Sequence, residues 1–229
     1  MNIVISGGSH GLGADLADYL SINNKIISFA RGDRQINNPN LTHLSNIDVI
    51  NPANLDQISG HLIEADALIN NVGTAYDGIL ATQGTSNIKE LLDVNLYSVI
   101  YLTKMYIRHR MQKRLSGSVI FISSIISIRG YSGLAVYSAT KGALNSFCSS
   151  LAREMGPKGF RFNSVLPGYF ESDLSKNLSS EKKAQIIRRT PLGRLAKTSD
   201  ICPLVKFLLS DEAQFITGQN FVVDGGLTC

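Results

Sequence analysis

The chain has 229 residues, of which 44% are hydrophobic and 17% charged; this suits one large folded α/β domain and excludes a disordered protein. The net charge of +4, from 22 basic and 18 acidic residues, is too small and too evenly spread to indicate a nucleic-acid partner. Three cysteines (Cys148, Cys202 and Cys229) stand far apart without a CxxC, and the four histidines lack ligand spacing. Neither a disulfide framework nor a metal site is therefore expected, and a reducing cytoplasm is the expected location.

In chain order, Asn2-Ile3-Val4-Ile5-Ser6 already reads as a buried strand, so no signal peptide is expected. No apolar run is long enough for a transmembrane helix, so no membrane partner is expected. Strands are predicted at 2–6, 25–30, 43–47, 66–70, 117–123, 161–166 and 220–223, and helices near 12–21, 52–63, 86–114, 135–155 and 199–210. This alternation predicts a single α/β domain over 1–229, a doubly wound parallel sheet of Rossmann type with helices on both faces. Such sheets bind ligands beyond the carboxyl ends of their strands, so the residues that follow each strand carry the functional reading.

After the first strand comes Ser6-Gly7-Gly8-Ser9-His10-Gly11-Leu12-Gly13. Glycines allow a tight turn and a close backbone approach to a pyrophosphate at a helix N-terminus. The spacing Gly7-x3-Gly11-x-Gly13 is not GxGxxG, and an ordinary glycine-rich turn is the bland alternative. After the second strand comes Ala30-Arg31-Gly32-Asp33, with Ala30 where an NAD site usually carries an acid. Arg31 suits a 2′-phosphate and favours NADP(H) over NAD(H), with His10 also facing that phosphate. Asp33 is the rival, since it could reach the ribose of NAD(H). Asp48 could accept from the adenine amino group or serve as an acid ahead of the helix opened by Pro52. Asn71, in Asn70-Asn71-Val72-Gly73, either contacts the cofactor or holds two strands together.

Ser123-Ser124 follow the fifth strand, and Tyr137 and Lys141 lie four apart, on one face of a helix. A lysine ammonium near the phenol is expected to lower the tyrosine pKa, which would let Tyr137 exchange a proton with a carbonyl oxygen while Ser124 holds that oxygen.

In combination these residues resemble the short-chain dehydrogenase/reductase family over nearly the whole chain. Gly7-x3-Gly11-x-Gly13 is similar to its cofactor loop, with Gly7, Ser9, His10, Gly11, Leu12 and Gly13 as contacts. Asn70-Asn71-Val72-Gly73 resembles its NNAG motif, with Val72 in place of alanine, which brings in Asn71 and Gly73. Asn95 falls at the family's active-site asparagine, so the resemblance implies a tetrad of Asn95, Ser124, Tyr137 and Lys141. It also implies that Asn95 holds a water in a proton relay and that Tyr137 and Lys141 touch the nicotinamide ribose. Pro167-Gly168-Tyr169-Phe170-Glu171-Ser172 resembles the segment that meets the nicotinamide carboxamide, with Pro167, Gly168, Phe170 and Ser172 as contacts. The second half is most similar to 3-oxoacyl-acyl-carrier-protein reductases. That implies a carrier-bound or small-molecule carbonyl substrate, and an acidic acyl carrier protein docking at Arg114 and Lys158, with Arg129 adding to the edge. It further implies a homotetramer joined through helices 86–114 and 135–155 and the last strand, with Gly225-Gly226 at an interface. The polar segment 172–190 is expected to form a helical flap over the substrate. The expected function is NADPH-dependent reduction of a carbonyl. The rivals are an NAD(P)-dependent dehydrogenase of a sugar or secondary alcohol, and a non-catalytic dinucleotide-binding sensor or scaffold.

Overall fold

The computed structural model describes residues 1–170 and 179–229. Its seven strands are β1 (Asn2–Ser6), β2 (Lys25–Phe29), β3 (Leu41–Leu44), β4 (Ala67–Asn70), β5 (Ser118–Ile122), β6 (Arg161–Pro167) and β7 (Asn220–Val223). They form one parallel sheet in the order β3-β2-β1-β4-β5-β6-β7. The helices are α1 (Gly11–Ser21), α2 (Pro52–Glu64), α3 (Thr85–Leu92), α4 (Ser98–Gln112), α5 (Ile126–Arg129), α6 (Ala135–Met155), α7 (Ser180–Arg189) and α8 (Thr198–Leu209).

The two-residue period of the strands sorts their side chains to two cores. Ile3 and Ile5 of β1 face Leu16 and Leu20 of α1 and Val205 and Leu208 of α8. Val4 between them faces the other layer, packed with Ile58 and Leu62 of α2, Leu102 and Tyr106 of α4, and Leu144 and Cys148 of α6. Each such fully buried aliphatic side chain contributes about 1.5–3 kcal/mol. In β5 all five residues are buried, as expected of a strand covered on both faces. The chain winds outward from β1 in both directions, so the carboxyl ends of β1 and β4 flank the switch point where a ligand cleft opens.

Two expectations are corrected here. The third strand runs Leu41–Leu44 rather than 43–47; at the sheet edge its burial is only partial, so its hydrophobic pattern is a weak guide. The single helix expected at 86–114 is divided by a π-helical turn at Asp93–Tyr97, in which the Ser98 N–H donates to the Asp93 carbonyl, five residues back. At φ +66° and +88°, the Cα hydrogens of Gly225 and Gly226 face Thr190 and Pro191, and the Gly225 carbonyl accepts from the Leu192 N–H at 3.2 Å.

Candidate active site

The loop between β1 and α1 is fixed by contacts that only glycine permits. A Cβ on Gly13 would stand 2.0 Å from the Gly7 carbonyl oxygen and 2.3 Å from Asn71 Nδ2, so α1 starts hard against β1 and β4. Gly7 holds φ +73° with Val72 Cα behind it, and Gly11 holds φ +56° facing open space. The glycines thus form a cradle with an open side at the N-terminus of α1, the geometry a pyrophosphate requires. Asn71 donates to the Gly7 carbonyl at 2.9 Å, and the Ser6 hydroxyl accepts from the N–H groups of Asn71 and Val72. Asn71 is therefore the link between two strands. Leu12 is buried in the core beneath, and Ser9 Oγ lies 2.9 Å from His10 Nδ1.

Arg34 carries an unforeseen part of this cradle. Its guanidinium donates to the carbonyls of Gly8 and Ala14 and pairs through two bonds, at 2.7 and 2.8 Å, with Asp18. No local spacing signals this, because the partners lie 16 to 26 residues away. Arg31 is exposed just beyond the end of β2, and the neighbouring Gly32 lies against Ser9, so Arg31 stands beside the glycine loop. The Asp33 carboxylate accepts from the Arg34 N–H at 2.8 Å. Asp48 accepts from the Ile50 N–H, while Asn51 caps α2 through the Ala53 N–H.

Beyond β4 and β5 the four residues singled out from sequence come together. Asn95 is fully buried on the π turn; its amide accepts from the Thr74 N–H and donates to the Thr74 carbonyl, both at 2.8 Å, and reaches Thr140 at 3.3 Å. A Cβ on Gly73 would stand 3.3 Å from Lys141 Nζ and 3.5 Å from Asn95 Oδ1, so both side chains crowd the same face of this glycine. Lys141 Nζ donates to the Ile122 carbonyl at 2.8 Å, and the Lys141 carbonyl accepts from the Ser123 hydroxyl at 3.0 Å. The ammonium lies 5.9 Å from the centre of the Tyr137 ring. Ser124 is buried at the end of β5, and its hydroxyl accepts from the Ile126 N–H.

Burial, rather than the lysine charge, sets the two pKa values. It pushes the Tyr137 phenol above its ordinary value, with the Ser124 hydroxyl pulling the other way. It also lowers the Lys141 ammonium to about 8. The expected depression of the tyrosine by lysine is thus reversed: both groups sit in a low-dielectric site, where charge on either is penalised.

Pro167 closes β6 with its carbonyl accepting from the Ile125 N–H, and Gly168 passes so close to Asp224 that a Cβ would stand 2.7 Å from Asp224 Cβ. Phe170 bridges to Ala196 and packs on the α1–α8 core. Ser172 and the first part of the expected flap, residues 172–178, lie outside the described residues; the remainder forms α7. Arg114 and Lys158 precede β5 and β6, at the amino ends of strands whose carboxyl ends carry the site. Five residues of β5 separate the two ends by roughly 17 Å. Of the three basic residues expected at the edge of the cleft, Arg129 alone lies near Ser124 in the same chain, on the short helix α5.

A family described as enoyl-(acyl carrier protein) reductase matches residues 34–228. The 3-oxoacyl-[acyl-carrier-protein] reductase FabG of Salmonella typhimurium is 34% identical over 234 residues, covering 98% of this chain and 96% of that protein. The chain belongs to the short-chain dehydrogenase/reductase family. Among solved members, a short chain dehydrogenase from Leptospira borgpetersenii with bound NAD+ superposes with a TM-score of 0.92 at 28% identity, covering 100% of this chain and 92% of that one. A protein of Agrobacterium tumefaciens, provisionally assigned as a 2-deoxy-d-gluconate 3-dehydrogenase and holding NADP, gives 0.90 at 26% identity, covering 99% and 95%. This short-chain family member is an NAD(P)-dependent oxidoreductase acting on a carbonyl or alcohol carbon. Among the described residues, no helix is long and apolar enough to cross a membrane.

Proposed function

We propose that this enzyme reduces a ketone to an alcohol with NADPH, and that the ketone is a 3-oxoacyl thioester or a close analogue. The observation that carries this reading is the convergence of Ser124, Tyr137 and Lys141 beside a glycine cradle open at the N-terminus of α1. The cradle fits a dinucleotide, since a Cβ at Gly13 or Gly7 has no space and Gly11 leaves its side open. Ser9, His10 and Arg31 would surround the adenosine phosphate, and Gly73 and Lys141 the nicotinamide ribose. Asp48 would lie toward the adenine, and Pro167, Gly168, Phe170 and Ser172 toward the nicotinamide carboxamide.

The bound nicotinamide supplies hydride chemistry at the substrate carbon. The chain's own groups handle the oxygen. Ser124 donates a hydrogen bond to it, stabilising the charge that develops there. Tyr137 gives it a proton; burial keeps the phenol protonated at neutral pH, the form that serves reduction. Lys141, held by the Ile122 carbonyl, keeps its ammonium 5.9 Å from the centre of the Tyr137 ring, and Asn95 holds the Thr74 backbone beside it and would stand next to the proton path. The segment 172–190 would cover the substrate. An acyl carrier protein is the proposed macromolecular partner, a homotetramer the proposed assembly and the cytoplasm the proposed location.

Acetoacetyl-CoA with NADPH or NADH tests this. NADPH-preferred turnover that falls by about 10²-fold or more in Tyr137→Phe supports it. Turnover unaffected by Tyr137→Phe would remove Tyr137 from the chemistry. The second reading, oxidation of a sugar or secondary alcohol, draws support from the Agrobacterium neighbour and would be favoured by NADP+-dependent turnover of such alcohols alone.

A further inference from the structure

Beside the reacting groups lies a small cavity of about 50 Å³, bounded by α5, α7, the strand-end residue Tyr169 and the C-terminal turn. Its apolar walls are Ile125, Ile126, Ile186 and Leu227, the same cluster on which the Tyr137 ring packs. The cavity and the Tyr137 ring thus border one apolar cluster. Its polar lining comes from Arg129, Arg189, Gln185 and the phenols of Tyr131 and Tyr169, with two cationic side chains and no carboxylate among the described lining residues. Asp77 acts on Tyr169 electrostatically from outside that lining, and Arg129 acts on it with the opposite sign.

The frame of this cavity is well fixed. Asp224 accepts from the N–H groups of Gly226 and Thr228 and from the Thr228 hydroxyl, closing the turn that presents Leu227. Arg129 donates to the Leu227 carbonyl at 3.2 Å, which ties α5 to that turn. One water needs roughly 10–15 Å³ of such space, so the volume admits a group the size of a carboxylate with its neighbouring carbon. Planar guanidinium forks are matched in shape and charge to a carboxylate.

We infer that this cavity binds a carboxylate carried by the substrate beyond its reacting carbonyl, with Arg129 and Arg189 as the residues that select it. The substrate class is a short oxo-acyl chain ending in a carboxylate, either a free oxo acid or the far end of an oxo-acyl thioester. This rests on the reading of Ser124 and Tyr137 as the groups at the reacting carbonyl.

The test pairs each anionic probe with a neutral counterpart, using the cofactor-loaded full-length protein. By calorimetry, 4-oxopentanoate should bind at least tenfold more tightly than its methyl ester. Arg189→Gln and Arg129→Gln should each erase most of that ratio, and Arg189→Lys should restore part of it. In turnover, a lower KM for 3-oxoadipyl-CoA than for 3-oxohexanoyl-CoA identifies the thioester as the source of the carboxylate. Selective turnover of 4-oxopentanoate identifies the free acid. Absence of turnover with both thioesters would sink the thioester reading, while the calorimetric ratio would still support the carboxylate site. Equal binding of 4-oxopentanoate and its ester, or a ratio untouched by both arginine variants, would overturn the inference even if acetoacetyl-CoA is reduced.

Discussion

Replacing Gly13 with alanine should damage the cofactor cradle more than any other single methyl group. The added Cβ would meet the Gly7 carbonyl oxygen at 2.0 Å and Asn71 Nδ2 at 2.3 Å. Neither can swing aside: one is backbone, and the other is held on it by a 2.9 Å hydrogen bond. Relief requires α1 to back away from β1 or the Asn71–Gly7 bond to break. Overpacking of this kind costs about 1–3 kcal/mol, and the lost hydrogen bond adds about 0.5–1.5 kcal/mol. For a domain of this size each kcal/mol moves the melting point by about 2–4 °C, so a fall of roughly 5–15 °C is expected. Gly11→Ala is the control, since its Cβ meets open space and only the φ of +56° resists it, at about 1–2 kcal/mol. Scanning calorimetry of both variants, with a fluorescence titration of NADPH, measures the contrast. A Gly13→Ala protein melting within about 2 °C of the wild type, with unchanged cofactor affinity, would refute the packing argument.

Other consequences are equally open to measurement. Arg31→Ala should weaken NADPH binding by about tenfold or more, the worth of a charge-assisted pair, and leave NADH nearly unchanged; equal losses for both cofactors would remove Arg31 from the 2′-phosphate. Arg34→Ala should lower stability by about 1–3 kcal/mol in urea, because two loop carbonyls and the Asp18 pair lose a largely covered partner. Lys141→Met bears on linkage. With the ammonium lowered to about 8 from 10.5, burying its charge opposes folding by about 3 kcal/mol below pH 8. Between pH 8 and 10.5 the unfolded chain holds more protons than the folded one, so that opposition fades as pH rises. Urea unfolding at about pH 7 and about pH 10 should therefore show Lys141→Met losing its relative advantage at the higher pH; a pH-independent difference would contradict the buried-charge account.

The sheet was legible because its central strands are apolar throughout and separated by strongly periodic helices, as Ile3-Val4-Ile5 and Val119-Ile120-Phe121 illustrate. The positions of Ser124, Tyr137 and Lys141 were also legible, since each lies within a few residues of a strand end or along one helical turn. What escaped was non-local. The guanidinium of Arg34 reaches across the β1–α1 loop, and the Thr74 clamp on Asn95 joins residues 21 apart. The π turn escaped because one extra residue in a turn leaves the composition of a helix unchanged. The pKa directions escaped because charge proximity can be guessed from spacing, whereas desolvation depends on the whole fold.

The reciprocal stitch between α6 and β5 has a mechanical consequence. The Lys141 side chain is bolted to the strand's last carbonyl, at Ile122, and its own carbonyl is bolted back by Ser123. Sliding the helix along the sheet would break both fastenings at once, so Tyr137 and Ser124 must travel as a single rigid tool. Remodelling at the far wall, where α5, α7 and the C-terminal turn meet, can then alter what is gripped without blunting the edge that works on it.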